Sequence, residues 1–309
     1  MQPKVILQLK NLNIGYKKAL VSNIDAELKT GEIVLLMGNN GEGKTTLFKT
    51  LLKQISPLAG NIEVLGESLE KIPIKQLAKY ISVVFSKAYI PQNFTTYDLI
   101  SLGKYIHYPY YFSLDSKDKK SIEEIISTLN LEPFKNTPLH QLSDGNLQKA
   151  FIGRALAQDT PILILDEPTT HLDLNNRKMI LNLLQNIARR QQKAILFSSH
   201  DIFGASEVAD NIWHIQNNKM SCGLAEDLLL QYISKNEKPS SLPFSSADIS
   251  APELEKKLFL NAISKAKFIQ FPPVKISYSE SEWKVITSSE QMSFSNIEET
   301  IKALKSLKY

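Results

Sequence analysis

Apolar positions along the chain fall into short runs and alternations that mark out its elements. Val5–Leu9, Leu12–Tyr16 and Ile24–Leu28 alternate apolar and polar residues, the period of strands with one exposed face. Ile33-Val34-Leu35-Leu36-Met37 is apolar without interruption, which predicts a strand buried on both faces, as in a parallel sheet. It leads into a glycine-rich turn that opens a helix from Lys44 to about Leu52. Ile81–Phe85, Ile162–Leu165 and Ala194–Phe197 predict further buried strands. Between the first two lies a mostly helical region, Thr96 to about Leu131, which Thr95 opens with Asp98 completing a capping box. Strands alternating with helices in this way predict an α/β fold. Its core is a mainly parallel sheet, with an N-terminal antiparallel β part and a helical insert at about 90–158.

Asn236–Asp248 is rich in Ser, Pro and charge and reads as a linker. It divides the chain into 1–235 and 236–309. In the second part Glu253–Lys265 and Asn296–Leu307 predict helices, and Phe268–Tyr278 and Trp283–Thr287 predict strands. These make a small C-terminal α/β appendage that carries no chemical motif.

The composition, 43% hydrophobic and 22% charged over 309 residues, is that of a soluble globular protein with ample core. The lone Cys222 rules out an internal disulfide and fits a reducing compartment. A net charge of +4 is modest, and the densest lysine run, Lys117, Lys119 and Lys120, is interrupted by Asp115 and Asp118. That run reads as a solvated helix start, so no nucleic-acid partner is expected. Met1–Lys10 lacks a signal-peptide core, and the longest apolar runs are strand-sized. In a membrane process, other chains would do the spanning.

Gly38-Asn39-Asn40-Gly41-Glu42-Gly43-Lys44-Thr45 matches the phosphate-binding loop, in its required place between a buried strand and a helix. Glycines let the backbone wrap the phosphates, and the amides of the loop and of the helix start, through Thr46, point at them. Lys44 supplies positive charge for the β- and γ-phosphates, and the Thr45 hydroxyl can ligate Mg²⁺. Ile162-Leu163-Ile164-Leu165-Asp166-Glu167 is an apolar strand ending in two carboxylates. Asp166 is placed to hold Mg²⁺, directly or through water, and Glu167 to orient or deprotonate an attacking water.

These two motifs establish a P-loop NTPase. Its kind rests on Leu142-Ser143-Asp144-Gly145-Asn146-Leu147-Gln148-Lys149, which resembles the Leu-Ser-Gly-Gly-Gln signature of ABC ATPases, with Asp144 and Asn146 substituted. The resemblance implies that Ser143, Gly145 and Asn146 bind the γ-phosphate of ATP held by an opposite subunit, in a head-to-tail dimer. Three more positions match the family in order. Tyr16 matches the aromatic residue that stacks on adenine. Asp173, in His171-Leu172-Asp173, matches the acidic residue of the loop that crosses the interface. His200, in Ser198-Ser199-His200-Asp201, matches the switch histidine that contacts the γ-phosphate. The resemblance covers about residues 1–235.

One residue departs from the family. Ser86 follows the strand Ile81–Phe85 where the family usually has a glutamine that reaches Mg²⁺, and Gln92 comes too late to replace it. Lys44, Asp166, Glu167 and His200 are all present, so an active ATPase is expected. Tyr97-Asp98-Leu99-Ile100-Ser101-Leu102-Gly103-Lys104-Tyr105 resembles the helical-insert stretch of importers for iron chelates, haem and cobalamin, with Lys104 in place of an arginine. The resemblance implies an ATPase subunit working on the inner face of the cell membrane beneath separate permease subunits. A soluble ABC ATPase of the iron–sulfur assembly or repair type, and an ATP-binding regulatory module marked by Ser86, stand as alternatives.

Overall fold

The computed structural model describes residues 3–86, 93–108, 113–236, 249–265, 274–279, 281–287 and 291–306. The chain opens with β1 (Val5–Gly15) and β2 (Ala19–Lys29), which pair antiparallel. The sequence suggests two strands within 5–16, but β1 is one strand broken in register between Leu9 and Leu12. Asn11 takes a left-handed φ of 47° at the break, and its N–H donates to Asp25 Oδ1 at 2.9 Å. The extra residue shifts the alternation by one, so Leu7, Leu9, Leu12 and Ile14 all face the core. Tyr16 falls just outside the strand and is 64% exposed.

β3 (Ile33–Met37) is buried at every position, and α1 (Lys44–Leu51) follows the glycine-rich turn. Next come β4 (Ala59–Val64), β5 (Glu67–Ser68), α2 (Ile74–Tyr80) and β6 (Ile81–Val84). β4 pairs antiparallel with β1, giving a four-stranded sheet in the order β2-β1-β4-β5. The helical insert holds α3 (Thr96–Ser101), α4 (Ser116–Thr128) and α5 (Asp144–Ala157). The capping box on α3 forms from both sides, Thr95 with Asp98. Asp115 caps α4, and Lys117, Lys119 and Lys120 lie exposed on its first turns.

β7 (Ile162–Leu165), α6 (Leu174–Gln191), β8 (Ala194–Ser198) and α7 (Ile202–Ser206) complete the αβ alternation. β9 (Asn211–Gln216) and β10 (Lys219–Leu224) follow. Asn217 and Asn218, both with positive φ, join those two strands in the manner of a two-residue hairpin turn. The six-stranded sheet runs β10-β9-β3-β8-β7-β6, with the β3–β8, β8–β7 and β7–β6 pairs parallel. In this register Leu36 lies opposite Ser198, Leu165 opposite Phe197, and Val84 opposite Leu165. Three motifs therefore emerge side by side at the C-terminal ends of parallel strands, where ligands bind in such sheets.

α8 (Ala225–Asn236) precedes β11 (Ile249–Ser250), α9 (Glu253–Lys265), β12 (Lys275–Ser279), β13 (Glu282–Ile286), β14 (Gln291–Phe294) and α10 (Ile297–Ser306). The chain separates into two compact units, Met1–Ala209 with Trp213–Ser221, and Asp210–Ile212 with Cys222–Tyr309. The second unit thus begins before the division placed at 235/236 and takes α8 with it. Of the proposed linker, Asn236 ends α8 and 237–248 lie outside the described residues. So do 268–273 of the strand expected at Phe268–Tyr278. The second unit has its own sheet, β11-β12-β13-β14, and a core in which Trp283 stacks on Phe259 at 4.3 Å.

Candidate active site

The phosphate loop leaves β3 through Gly38, whose φ of 154° and surroundings admit no side chain. A Cβ there would sit 2.8 Å from the Ile215 carbonyl oxygen and 2.9 Å from Glu42 Oε2. Gly43, at φ 121°, turns the chain into α1, and no side chain caps the helix start. The first-turn amides of Lys44, Thr45 and Thr46 are therefore left to an incoming anion. Lys44 is buried, and its Nζ donates to the Gly38 and Asn39 carbonyl oxygens at 2.6 and 3.1 Å. Burial lowers its pKa, while the carboxylates of Glu167, Glu42 and Asp166 pull it back up. Glu42 folds into the loop, its carboxylate accepting the Asn39 N–H at 2.6 Å and the Asn39 side-chain amide at 3.2 Å. Asn40, Gly41 and Thr45 are exposed along the rim.

Asp166 extends β7 and is tied to β6 by its N–H, which donates to the Val84 carbonyl oxygen at 2.8 Å. Burial raises its pKa, opposed by a hydrogen bond from the Ser198 hydroxyl at 2.9 Å. Glu167 adopts a left-handed φ of 53°, a conformation costing a non-glycine residue on the order of 1 kcal/mol or more. Three groups hold it there. Its N–H donates to Ser198 Oγ at 2.9 Å, Thr170 Oγ1 donates to its Oε2 at 3.2 Å, and His200 Nε2 lies 2.7 Å from its Oε1. Glu167 and His200 are thus in direct contact, with half of the His200 side chain open to solvent. Neither Ser198 nor Thr170 is assigned a role by the motifs, although Ser198 stands in the segment that carries His200.

The signature segment starts α5. Ser143 is its N-cap, accepting the Asn146 N–H at 3.4 Å. Gly145 lies against the side chain of Asn176, where a Cβ would come within 2.7 Å of Oδ1. Asn176 belongs to the first turn of α6, which Asp173 caps by accepting the Asn176 N–H at 2.8 Å and its side-chain amide at 2.9 Å. One amide therefore joins the signature segment to the acidic loop, a link the separate motifs do not reveal. Lys104 is buried, its ammonium 3.1 Å from Asp118, which also accepts a hydrogen bond from the Tyr108 hydroxyl at 2.6 Å.

The oxygens of Thr45, Asp166 and nucleotide phosphates form a hard donor set that suits Mg²⁺. Among the described residues no three His, Cys, Asp or Glu side chains cluster to hold a metal by themselves. Ser86 stands exposed in a bend two residues past Val84, at the same sheet end as Asp166, and Gln92 lies outside the described residues.

Residues 21–170 match the ABC transporter family. An uncharacterized ABC transporter ATP-binding protein of Methanocaldococcus jannaschii is 34% identical over 74% of this chain and 79% of its own. An iron(3+)-hydroxamate import ATP-binding protein of Bacillus subtilis is 32% identical over 63% of this chain and 73% of its own. A dimeric ATP-binding cassette in a post-hydrolysis state, bound to ADP and Pi, superposes with a TM-score of 0.62. It covers 71% of this chain and 99% of its own at 24% identity, a likeness of fold. No helix among the described residues is long and apolar enough to cross a membrane. The phosphate loop, the Asp166–Glu167 strand end, the signature segment and these relatives converge: the chain belongs to the ABC transporter ATP-binding proteins and is an ATP-binding ATPase subunit.

Proposed function

We propose that the chain works as a head-to-tail homodimer beneath separate permease subunits on the inner face of the cell membrane, and that ATP hydrolysis drives import of an iron chelate. The observation that carries the hydrolytic part is the contact of Glu167 with His200 beside Asp166 and the phosphate loop. In this reading ATP lies along residues 38–46 with its adenine on Tyr16, and Lys44 neutralises its terminal phosphates. Thr45 and Asp166 would hold Mg²⁺, and Ser86 would reach it only through water. When bound, the metal would supply positive charge against the phosphates, while water takes the γ-phosphoryl group and ADP leaves. Glu167 orients the attacking water and takes its proton, and His200 senses the γ-phosphate. Ser143, Gly145 and Asn146 of each subunit contact the nucleotide of the other, and Asp173 crosses between them.

The import assignment rests on the insert segment at 97–105 and on relatives such as the iron(3+)-hydroxamate import protein. Leu102 and Tyr105 expose apolar surface within the stretch that the family resemblance sets against the membrane partner. The test is reconstitution with permease subunits of an iron-chelate importer. Vesicle uptake of a ferric chelate that requires ATP and is lost in Glu167→Gln supports the proposal. ATP turnover that proceeds at full rate with no permease and drives no uptake favours a soluble ABC ATPase instead.

A further inference from the structure

Every position of β8 is buried, and its last residue, Ser198, is 0% exposed. An apolar side chain would suit such a position better, since a buried hydroxyl costs free energy unless both its donor and its acceptor functions are met. Here both are. The Ser198 hydroxyl donates to Asp166 Oδ1 and accepts the Glu167 N–H, each at 2.9 Å. The register explains the placement. β8 lies between β3 and β7, with Ser198 opposite Leu36 just before the phosphate loop and one step past Phe197, the partner of Leu165. The hydroxyl thus sits between the strand that feeds the phosphate loop and the strand that ends in the two carboxylates.

We propose that Ser198 is a positioning residue for both acidic groups. By donating to Oδ1 it fixes the rotation of the Asp166 carboxylate and leaves Oδ2 for the metal. By accepting the Glu167 N–H it holds the left-handed backbone that aims the base at His200. One buried hydroxyl then couples metal geometry to base geometry, so that neither carboxylate turns without disturbing the other. The inference rests on the reading of Asp166 as metal-binding and Glu167 as base.

The test uses the full-length chain and a fluorescent ATP analogue, titrated with Mg²⁺ and again in EDTA, with steady-state kinetics alongside. Ser198→Ala should raise the Mg²⁺ concentration for half-maximal nucleotide binding about 10- to 100-fold, as losses behind a metal ligand do. Binding in EDTA should stay within about twofold of the parent, because the phosphate-loop contacts are untouched. At saturating Mg²⁺ the kcat should fall while KM for ATP changes little, and Ser198→Thr, which keeps the hydroxyl, should recover most of both effects. A Ser198→Ala protein that is merely less heat-stable, with an unchanged Mg²⁺ requirement, would overturn the proposal. Should Ser198→Ala fail to fold, Ser198→Cys serves: its thiol is a weak donor and acceptor, so its Mg²⁺ requirement should lie above those of both the parent and Ser198→Thr, and one equal to the parent's would overturn the proposal. Parent protein whose nucleotide binding ignores Mg²⁺ would instead refute the underlying reading of Asp166.

Discussion

His200 Nε2 lies 2.7 Å from Glu167 Oε1, so the residue that would sense the γ-phosphate already touches the residue that would activate water. The contact joins the ends of β8 and β7, two adjacent parallel strands. A γ-phosphate arriving at His200 would therefore pull on the base through one hydrogen bond. His200→Ala should lower turnover by about 10- to 100-fold and leave ATP affinity nearly unchanged, since the loss falls on positioning in the transition state. Single-turnover rates beside equilibrium binding would check the split, and an equal loss in both would argue for a purely binding role.

Glu42 places a carboxylate inside the loop that must receive phosphate, held by the backbone and side-chain amides of Asn39. Nucleotide entry must move it or bear its repulsion. Glu42→Gln should therefore tighten ATP binding by about three- to tenfold at low salt, and less as salt screens the charge. Calorimetric titration at two ionic strengths reads this directly, and weaker binding would show that Glu42 is needed to shape the loop.

Gly145 and Asn176 leave each other no room for a methyl group. In Gly145→Ala the Asn176 amide must swing away, breaking its bond to Asp173 and weakening the cap of α6. The expected cost is about 0.5–2 kcal/mol, the usual range for a lost cap. The double variant Gly145→Ala with Asn176→Ala should lose less stability than the two single losses added together, because the substitutions act on one contact. Denaturant unfolding of the cycle tests this, and simple additivity would contradict it.

In the second unit Asp227 caps α10 by accepting the N–H groups of Ile297 and Glu298 at 2.6 and 3.0 Å. Burial nonetheless raises its pKa from 3.8 to about 6. An acid whose folded pKa lies above its unfolded value binds protons more readily when folded. Its contribution thus favours folding at low pH and is lost as pH rises from about 4 through about 6. Asp227→Asn keeps an acceptor without the buried charge. It should raise the stability of this unit at pH 7 by on the order of 1–3 kcal/mol and flatten its profile between pH 4 and 6. Thermal unfolding at pH 4.5 and pH 7.5 reads the difference, and an unchanged profile would mean that the carboxylate stays ionised throughout.

The strands that carry the candidate site were legible because their signals are local. Ile33–Met37 and Ile162–Leu165 match β3 and β7 residue for residue, since short unbroken apolar runs set in a βα alternation suit strands covered on both faces. The capping box at Thr95 and Asp98 also follows from neighbours in sequence. What stayed hidden depends on register. Nothing in the order of residues brings Ser198 to Asp166, 32 positions away, or Asn176 to Gly145; only the pairing of β7 with β8 and the docking of α6 on α5 do so. The break at Asn11 was hidden for a related reason: one extra residue reverses the alternation on which strand reading depends. Short strands such as β5 and β11 carry too few residues for any period. Lys104 reads from the sequence as part of a partner-facing stretch, yet its ammonium is buried against Asp118.

The central claim, that two copies close around ATP and part when Glu167 completes hydrolysis, is tested most directly by light scattering on Glu167→Gln in Mg-ATP, Mg-ADP and nucleotide-free buffer. Removing the base should slow turnover by about 10²- to 10⁴-fold and leave the closed state long-lived. The account predicts a dimer in Mg-ATP and monomers in the other two conditions. Monomers under saturating Mg-ATP, or a variant that turns over ATP at the parent rate, would contradict it.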